Sequence, residues 1–125
     1  MTTDGIEAVY LTTRNWGKAA RFMQSLGYEP DFTTDHNSGL FRNGDGPYIF
    51  VAEVPHEEPS TQLVLRVPDP AAVHFDGDVQ VVEEFTETHF GTTEMIIRDP
   101  DGRLWTLQAA PEGQPGHAHT GEAQA

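Results

Sequence analysis

Arg98-Asp99-Pro100-Asp101-Gly102-Arg103-Leu104-Trp105-Thr106-Leu107-Gln108 reads as the end of one strand, a tight turn and a second strand. The two aspartates and Pro100 favour entry into a turn, and Gly102 can take the positive φ that closes it. Beyond the turn, Leu104, Thr106 and Gln108 alternate with Trp105 and Leu107. A period of two sends alternate side chains to opposite faces of a sheet, here one mixed and one apolar.

Working outward, the same pattern of short strands and turn-rich breaks fills the chain. Gly5 to Thr13 is β-rich, with Ile6, Val9, Tyr10 and Leu11. Asn15 is a helix cap, and Trp16, Ala19, Ala20, Phe22, Met23 and Leu26 recur at helical spacing until Gly27 stops the helix. Strands are predicted at Tyr28–Thr34, Gly39–Arg42 and Tyr48–Val54, parted by Asp35-His36-Asn37-Ser38 and Asn43-Gly44-Asp45-Gly46. Pro55–Ser60 is a charged linker bounded by proline. The pattern then restarts. Thr61–Val67 is a strand, and Asp69-Pro70 opens a helix cut short because Gly77 follows soon after Phe75. Val79–Thr86, Thr92–Arg98 and Arg103–Ala109 complete the second set. Residues 111–125 are Gly, Gln, His, Glu, Pro, Ala and Thr with no large apolar side chain, and are expected to form a disordered polar tail.

The order strand, helix, three strands therefore occurs twice. Tyr10-Leu11-Thr12-Thr13-Arg14-Asn15 aligns with Val64-Leu65-Arg66-Val67-Pro68-Asp69, and the Asp45-Gly46 turn with Asp101-Gly102.

The balance of 7 basic against 20 acidic residues, net −13, opposes binding to a phosphate backbone and favours a cationic small ligand. No apolar run approaches the roughly 20 residues of a membrane span, and Met1 to Glu7 has no secretory pattern, so neither nucleic acid nor membrane is an expected partner and the expected location is cytoplasmic. The chain has no cysteine, which removes disulfides, thiolate metal sites and a thiol nucleophile. Ser25, Ser38 and Ser60 lie at a helix end, a turn and the linker, with no histidine arranged to activate them. Gly44-Asp45-Gly46 lacks the context of a phosphate loop. Glu53, Glu83 and Glu87 are carboxylates of the kind expected in so acidic a chain. Among the histidines, His36 and His56 fall in turns, His74 ends the stunted helix, and His117 and His119 lie in the tail. His89, beside the turn before a strand, is the one placed to hydrogen-bond a ligand or act as a base.

The Asp99-Pro100-Asp101-Gly102 turn, Leu26-Gly27-Tyr28 after the first helix, and the duplication together resemble the vicinal-oxygen-chelate superfamily of glyoxalase, bleomycin-resistance and extradiol-dioxygenase proteins. The resemblance covers about residues 5–110. It implies an α+β fold in which two βαβββ modules, 5–54 and 61–110, curl as a mixed sheet into a cup within one domain over 1–110, the second helix shortened. It also implies where relatives keep metal ligands, and here those positions carry Ala8, Phe50, Gln62 and Thr106. One amide, one hydroxyl and two apolar groups do not make a divalent-metal site. No metal or other cofactor is therefore expected. What remains to line the cup is Tyr10, Phe32, Phe41, Tyr48, Phe50, Gln62, Leu104, Thr106 and Gln108, with Arg66 towards the rim and His89 beside it. Aromatic walls with a few hydrogen-bonding groups suit a flat organic ligand. The implied function is a metal-independent protein of the bleomycin-resistance type, a homodimer that sequesters an antibiotic or toxic natural product. The alternative is a glyoxalase-like lyase, isomerase or dioxygenase with a displaced metal site.

Overall fold

In the computed structural model, residues 3–75, 77–88 and 91–110 are described, and the chain divides into two compact units, Ala8–Gln62 and Met1–Glu7 with Leu63–Ala125. The expected polar tail, His89, His117 and His119 lie outside the described residues.

The Ala8–Gln62 unit holds most of β1 (Ile6–Thr13), then α1 (Trp16–Ser25), β2 (Glu29–Thr33), β3 (Ser38–Arg42) and β4 (Tyr48–Glu53). Its strands lie in the order β2-β3-β4-β1, with β1 parallel to β4 and the other pairs antiparallel. The start of α1 is fixed twice. The Asn15 side chain accepts from the Lys18 N–H at 3.0 Å, and Glu53 Oε1 accepts from the Trp16 N–H at 2.8 Å. Both satisfy donors that a helix N-terminus leaves without an intrahelical partner. Gly27, at φ +98°, lets the chain leave the helix. The buried face of α1 packs Met23 against Phe41 and Val51, with Trp16, Ala19, Ala20 and Ile49 around them.

In the other unit, β5 (Thr61–Arg66) enters at Leu63, and β6 (Gln80–Glu87), β7 (Thr93–Arg98) and β8 (Leu104–Ala109) follow. The order is β5-β8-β7-β6, again with one parallel pair, β5 with β8. The predicted stunted helix is a single 3₁₀ turn, Pro70–Ala72, capped by Asp69, whose side chain accepts from the Ala71 N–H at 3.0 Å. The chain extends again at Val73, and Val73 and Phe75 pack on the core of Val67, Met95, Leu107 and Ala109 where a longer helix would lie.

The duplication is visible residue by residue. Thr34 and Ser38 close the β2-β3 connection with a side-chain bond of 2.6 Å, and Thr88 and Thr92 close the β6-β7 connection with one of 2.7 Å. Those pairs are offset by 54 residues (88 − 34 and 92 − 38), as are the caps Asn15 and Asp69 and the core residues Phe41 and Met95. Val51 and Leu107, each 1 % exposed, are offset by 56.

The closing turn takes the predicted form. Gly102 sits at φ +89°, and its N–H donates to the Asp99 carbonyl at 3.0 Å. Asp99 Oδ1 accepts from the Asp101 and Arg103 N–H groups, both at 2.9 Å, while Oδ2 accepts from Trp105 Nε1 at 3.0 Å. These donors, the indole first, lower the Asp99 carboxyl to about 2 from its ordinary 3.8.

Candidate functional site

Strand register decides which side chains share a face. In the Ala8–Gln62 unit, Phe32 lies opposite Leu40, Leu40 opposite Phe50, and Phe50 opposite Tyr10. Facing partners in a ladder point the same way, so these four form a row across all four strands of that sheet. Tyr10 and Phe50 stack with ring centroids 5.6 Å apart and planes 13° from parallel. Tyr48, two residues before Phe50 and opposite Ala8, extends the same face. Phe32, Tyr48, Phe50 and Tyr10 are half-buried, so their rings keep some open surface.

Phe41 is a correction. It was expected on this face, but it lies opposite Pro30 and Ile49, on the helix side. It is 1 % exposed, packs with Met23 and Val51, and tilts against Trp16 at 5.8 Å. Adjacent residues on a strand face opposite ways, so Leu40 takes the position in the row that Phe41 was expected to fill.

The second unit carries a different chemistry on the matching face. Val64, Thr106 and Ile96 lie opposite one another, and so do Arg66, Gln108 and Glu94. Thr106 is buried, and Leu104 is exposed opposite Arg98. Gln62, at the start of β5, is half-buried. Gln108 Nε2 donates to Glu94 Oε2 at 2.7 Å. Arg66 is held by acids of its own unit. Its Nε donates to Glu7 Oε1 at 2.8 Å, and Nη1 lies 3.4 Å from the Asp4 carbonyl and 3.8 Å from Asp4 Oδ2. Glu7 is buried, so this pair joins the N-terminal segment to β5, and Arg66 serves that join first. Gly5 and Asp4 add backbone bonds to Arg66, each 2.8 Å.

Sequence reasoning missed Glu94 and Glu7. Pairing Gln108 across the closing hairpin to its partner on β7 would have found Glu94. Among the described residues the other acids and histidines do not gather. Glu53 caps α1, while Glu83, Glu87, His36, His56 and His74 are exposed. Among the described residues no group of three or more His, Asp or Glu side chains is arranged to hold a metal. The positions that the resemblance assigns to metal ligands are the buried Ala8 and Thr106 and the half-buried Phe50 and Gln62. Two of these offer no donor atom and none is charged, so the residues present do not fit a divalent ion.

The fold itself is settled by likeness to solved structures. A methylmalonyl-CoA epimerase from Mycobacterium tuberculosis superposes with a TM-score of 0.70 over 87 % of this chain and 89 % of its own, at 16 % identity. A glyoxalase/bleomycin resistance protein/dioxygenase superfamily member from Vibrio splendidus 12B01 gives 0.61 over 82 % and 96 %, at 15 % identity. The chain has the glyoxalase/bleomycin resistance fold. The Mn(II)-bound glyoxalase from Novosphingobium aromaticivorans also shares it, with a TM-score of 0.67 at 16 % identity, though this chain matches only 43 % of that one. No protein-family model and no curated protein sequence matches the chain. The α+β class and the shortened second helix expected from the sequence agree with this fold. The described residues contain no helix long and apolar enough to cross a membrane.

Proposed function

We propose that this chain binds a small organic molecule on the aromatic row Phe32, Phe50 and Tyr10, without a metal, and acts by sequestering an antibiotic or toxic natural product. The observation that carries the reading is the stacked Tyr10–Phe50 pair, half-buried on a sheet face that turns away from the helix-covered core. A flat ring laid against such a pair gains about 0.5–1.5 kcal/mol beyond the area it buries. The ligand class is aromatic, and the net charge of −13 favours a cation over an anion. A homodimer acting in the cytoplasm is the setting this reading assumes. Tyr48 borders the row. The glyoxalase-like alternative needs a metal site displaced from those four positions, and among the described residues no group of three or more His, Asp or Glu side chains is arranged to hold one.

Thermal unfolding against a panel of planar cationic and neutral antibiotics tests the reading. A ligand at a hundredfold excess over its dissociation constant stabilises the folded chain by about 2.7 kcal/mol. Phe50→Ala, read at the same ligand concentration, should cut that shift to about half or less while the free variant stays folded. One tightly held metal ion per chain in protein lacking residues 111–125 would overturn it in favour of the enzyme.

A further inference from the structure

We infer that Asn43 is a site of spontaneous covalent modification: its side-chain amide is hydrolysed through a cyclic imide with Gly44, and the product weakens the join between the β3-β4 connection and the end of α1.

The β3-β4 connection reads Asn43-Gly44-Asp45-Gly46-Pro47. An asparagine deamidates when the backbone nitrogen of the next residue attacks its side-chain carbonyl carbon. The reaction therefore needs that nitrogen and that amide to be free of other bonds. Among the described residues neither the Asn43 side chain nor the Gly44 N–H makes a hydrogen bond, and both residues are exposed. Gly44 has no Cβ to obstruct the approach. The Asn43 carbonyl is held only by the Gly46 N–H at 3.3 Å, a long bond.

The other two asparagines of the chain are held. Asn15 Oδ1 accepts from the Lys18 N–H at 3.0 Å, and the Trp16 N–H that would attack it donates to Glu53 at 2.8 Å. Asn37 precedes the buried Ser38 at the start of β3, and its carbonyl accepts from the Glu53 N–H at 3.0 Å. At the offset of 56, Asp99 and Pro100 stand where Asn43 and Gly44 do, and proline has no N–H to react.

Water is the one co-reactant. Gly44 N bonds to Asn43 Cγ, the Cγ–Nδ2 bond breaks, and Nδ2 leaves as ammonia with the proton that Gly44 N gives up. Water then opens the imide. Cleavage of the new N–Cγ bond leaves aspartate at position 43. Cleavage of the original peptide bond leaves isoaspartate, which adds a methylene carbon to the main chain between Arg42 and Tyr48. Nothing is oxidised or reduced. Asn43 Nδ2 lies 3.5 Å from where a Cβ on Gly27 would stand, just past the C-terminus of α1. A helix C-terminus carries partial negative charge, and the last turn of α1 has no basic residue. A carboxylate in place of the amide is repelled there, with Asp45 two residues on. The lengthened main chain of isoaspartate disturbs the hairpin that sets Leu40 opposite Phe50.

The full chain, aged in mildly alkaline buffer with and without denaturing urea, is peptide-mapped by mass spectrometry that separates aspartate from isoaspartate. In the folded chain position 43 should convert at least about tenfold faster than positions 15 and 37, and no more than about threefold below its own rate in urea, while Asn37 should speed up on unfolding. Aged wild type should yield a more acidic species on ion exchange, and aged Asn43→Gln should not. Asn43→Asp should melt below wild type, with the gap narrowing in high salt. Position 43 slowed by folding more than threefold, positions 15 or 37 converting as fast, or aged Asn43→Gln giving the same acidic species would overturn the site. An Asn43→Asp midpoint at or above that of wild type would overturn its effect on α1.

Discussion

Phe41→Ala and Phe50→Ala should have opposite consequences, because the two rings lie on opposite faces of one sheet. Phe41 is 1 % exposed and wedged between Met23, Val51 and Trp16. Truncating a buried phenylalanine costs about 3–5 kcal/mol through lost transfer energy and the cavity left behind. Against a total stability of about 5–15 kcal/mol, that removes a large share. Phe50 is half-buried and contributes its stack on Tyr10. About two-thirds or more of the ~1.5–3 kcal/mol for burying such a side chain, plus ~0.5–1.5 for the ring pair, gives about 1.5–4 kcal/mol. Urea denaturation followed by tryptophan fluorescence resolves the difference. With a slope near 1.5 kcal/mol/M, a gap of about 1 kcal/mol separates the midpoints by ~0.7 M. Ligand affinity should move the other way, falling roughly tenfold or more for Phe50→Ala, since each 1.4 kcal/mol is tenfold. Equal loss of stability in both variants, or a larger loss for Phe50→Ala, would place Phe50 in the core and remove the basis of the proposed function.

Three further outcomes follow from the framework. A Cβ on Gly39 would lie 2.9 Å from Trp16 Cη2 and 3.0 Å from the Phe32 carbonyl oxygen, so Gly39→Ala should cost about 1–3 kcal/mol by calorimetry; an unchanged Tm would mean Trp16 is not fixed over β3. Asp99 is lowered in the fold from 3.8 to about 2, so its contribution is complete above about pH 4 and is lost as pH falls through about 2; Asp99→Asn should lose stability at neutral pH and show a flatter acid-unfolding profile across that window, and a profile identical to wild type would refute the indole-carboxylate assignment. Arg66→Ala leaves the buried Glu7 carboxylate without its 2.8 Å partner and should cost about 1–3 kcal/mol in chemical denaturation, with Glu7→Gln in the same chain recovering part of it; no recovery would show that Arg66 acts through other contacts.

The turns and caps were legible because their chemistry is local. Asn15, Asp69 and the Asp99–Gly102 turn each act within a few residues of chain, and each takes the predicted role. Alternation was legible wherever one face is apolar and the other mixed, as in β8, where Trp105 and Leu107 part from Thr106 and Gln108. It failed in β3. Ser38, Gly39, Leu40 and Phe41 are all buried there, so both faces of the strand look alike in sequence and only its register against β4 shows which way Phe41 points. Glu94 and Glu7 escaped for a different reason. Their partners, Gln108 and Arg66, lie 14 and 59 residues away, and nothing local marks a carboxylate that pairs at such a distance.

The duplication separates what the fold requires from what it merely permits. Equivalent positions that face the core stay apolar in both modules, as Phe41 and Met95 or Val51 and Leu107 do. Equivalent positions on the other face differ in character. At the offset of 54, Phe32 corresponds to Thr86, Leu40 to Glu94 and Tyr10 to Val64; at the offset of 56, Phe50 corresponds to Thr106. The second module builds its sheet with threonine and glutamate where the first has phenylalanine and leucine, and its core closes regardless. The aromatic row is therefore not demanded by the βαβββ framework. Aromatic residues that the fold does not need and that stay partly exposed leave some apolar area in water, which contact with a ligand would cover.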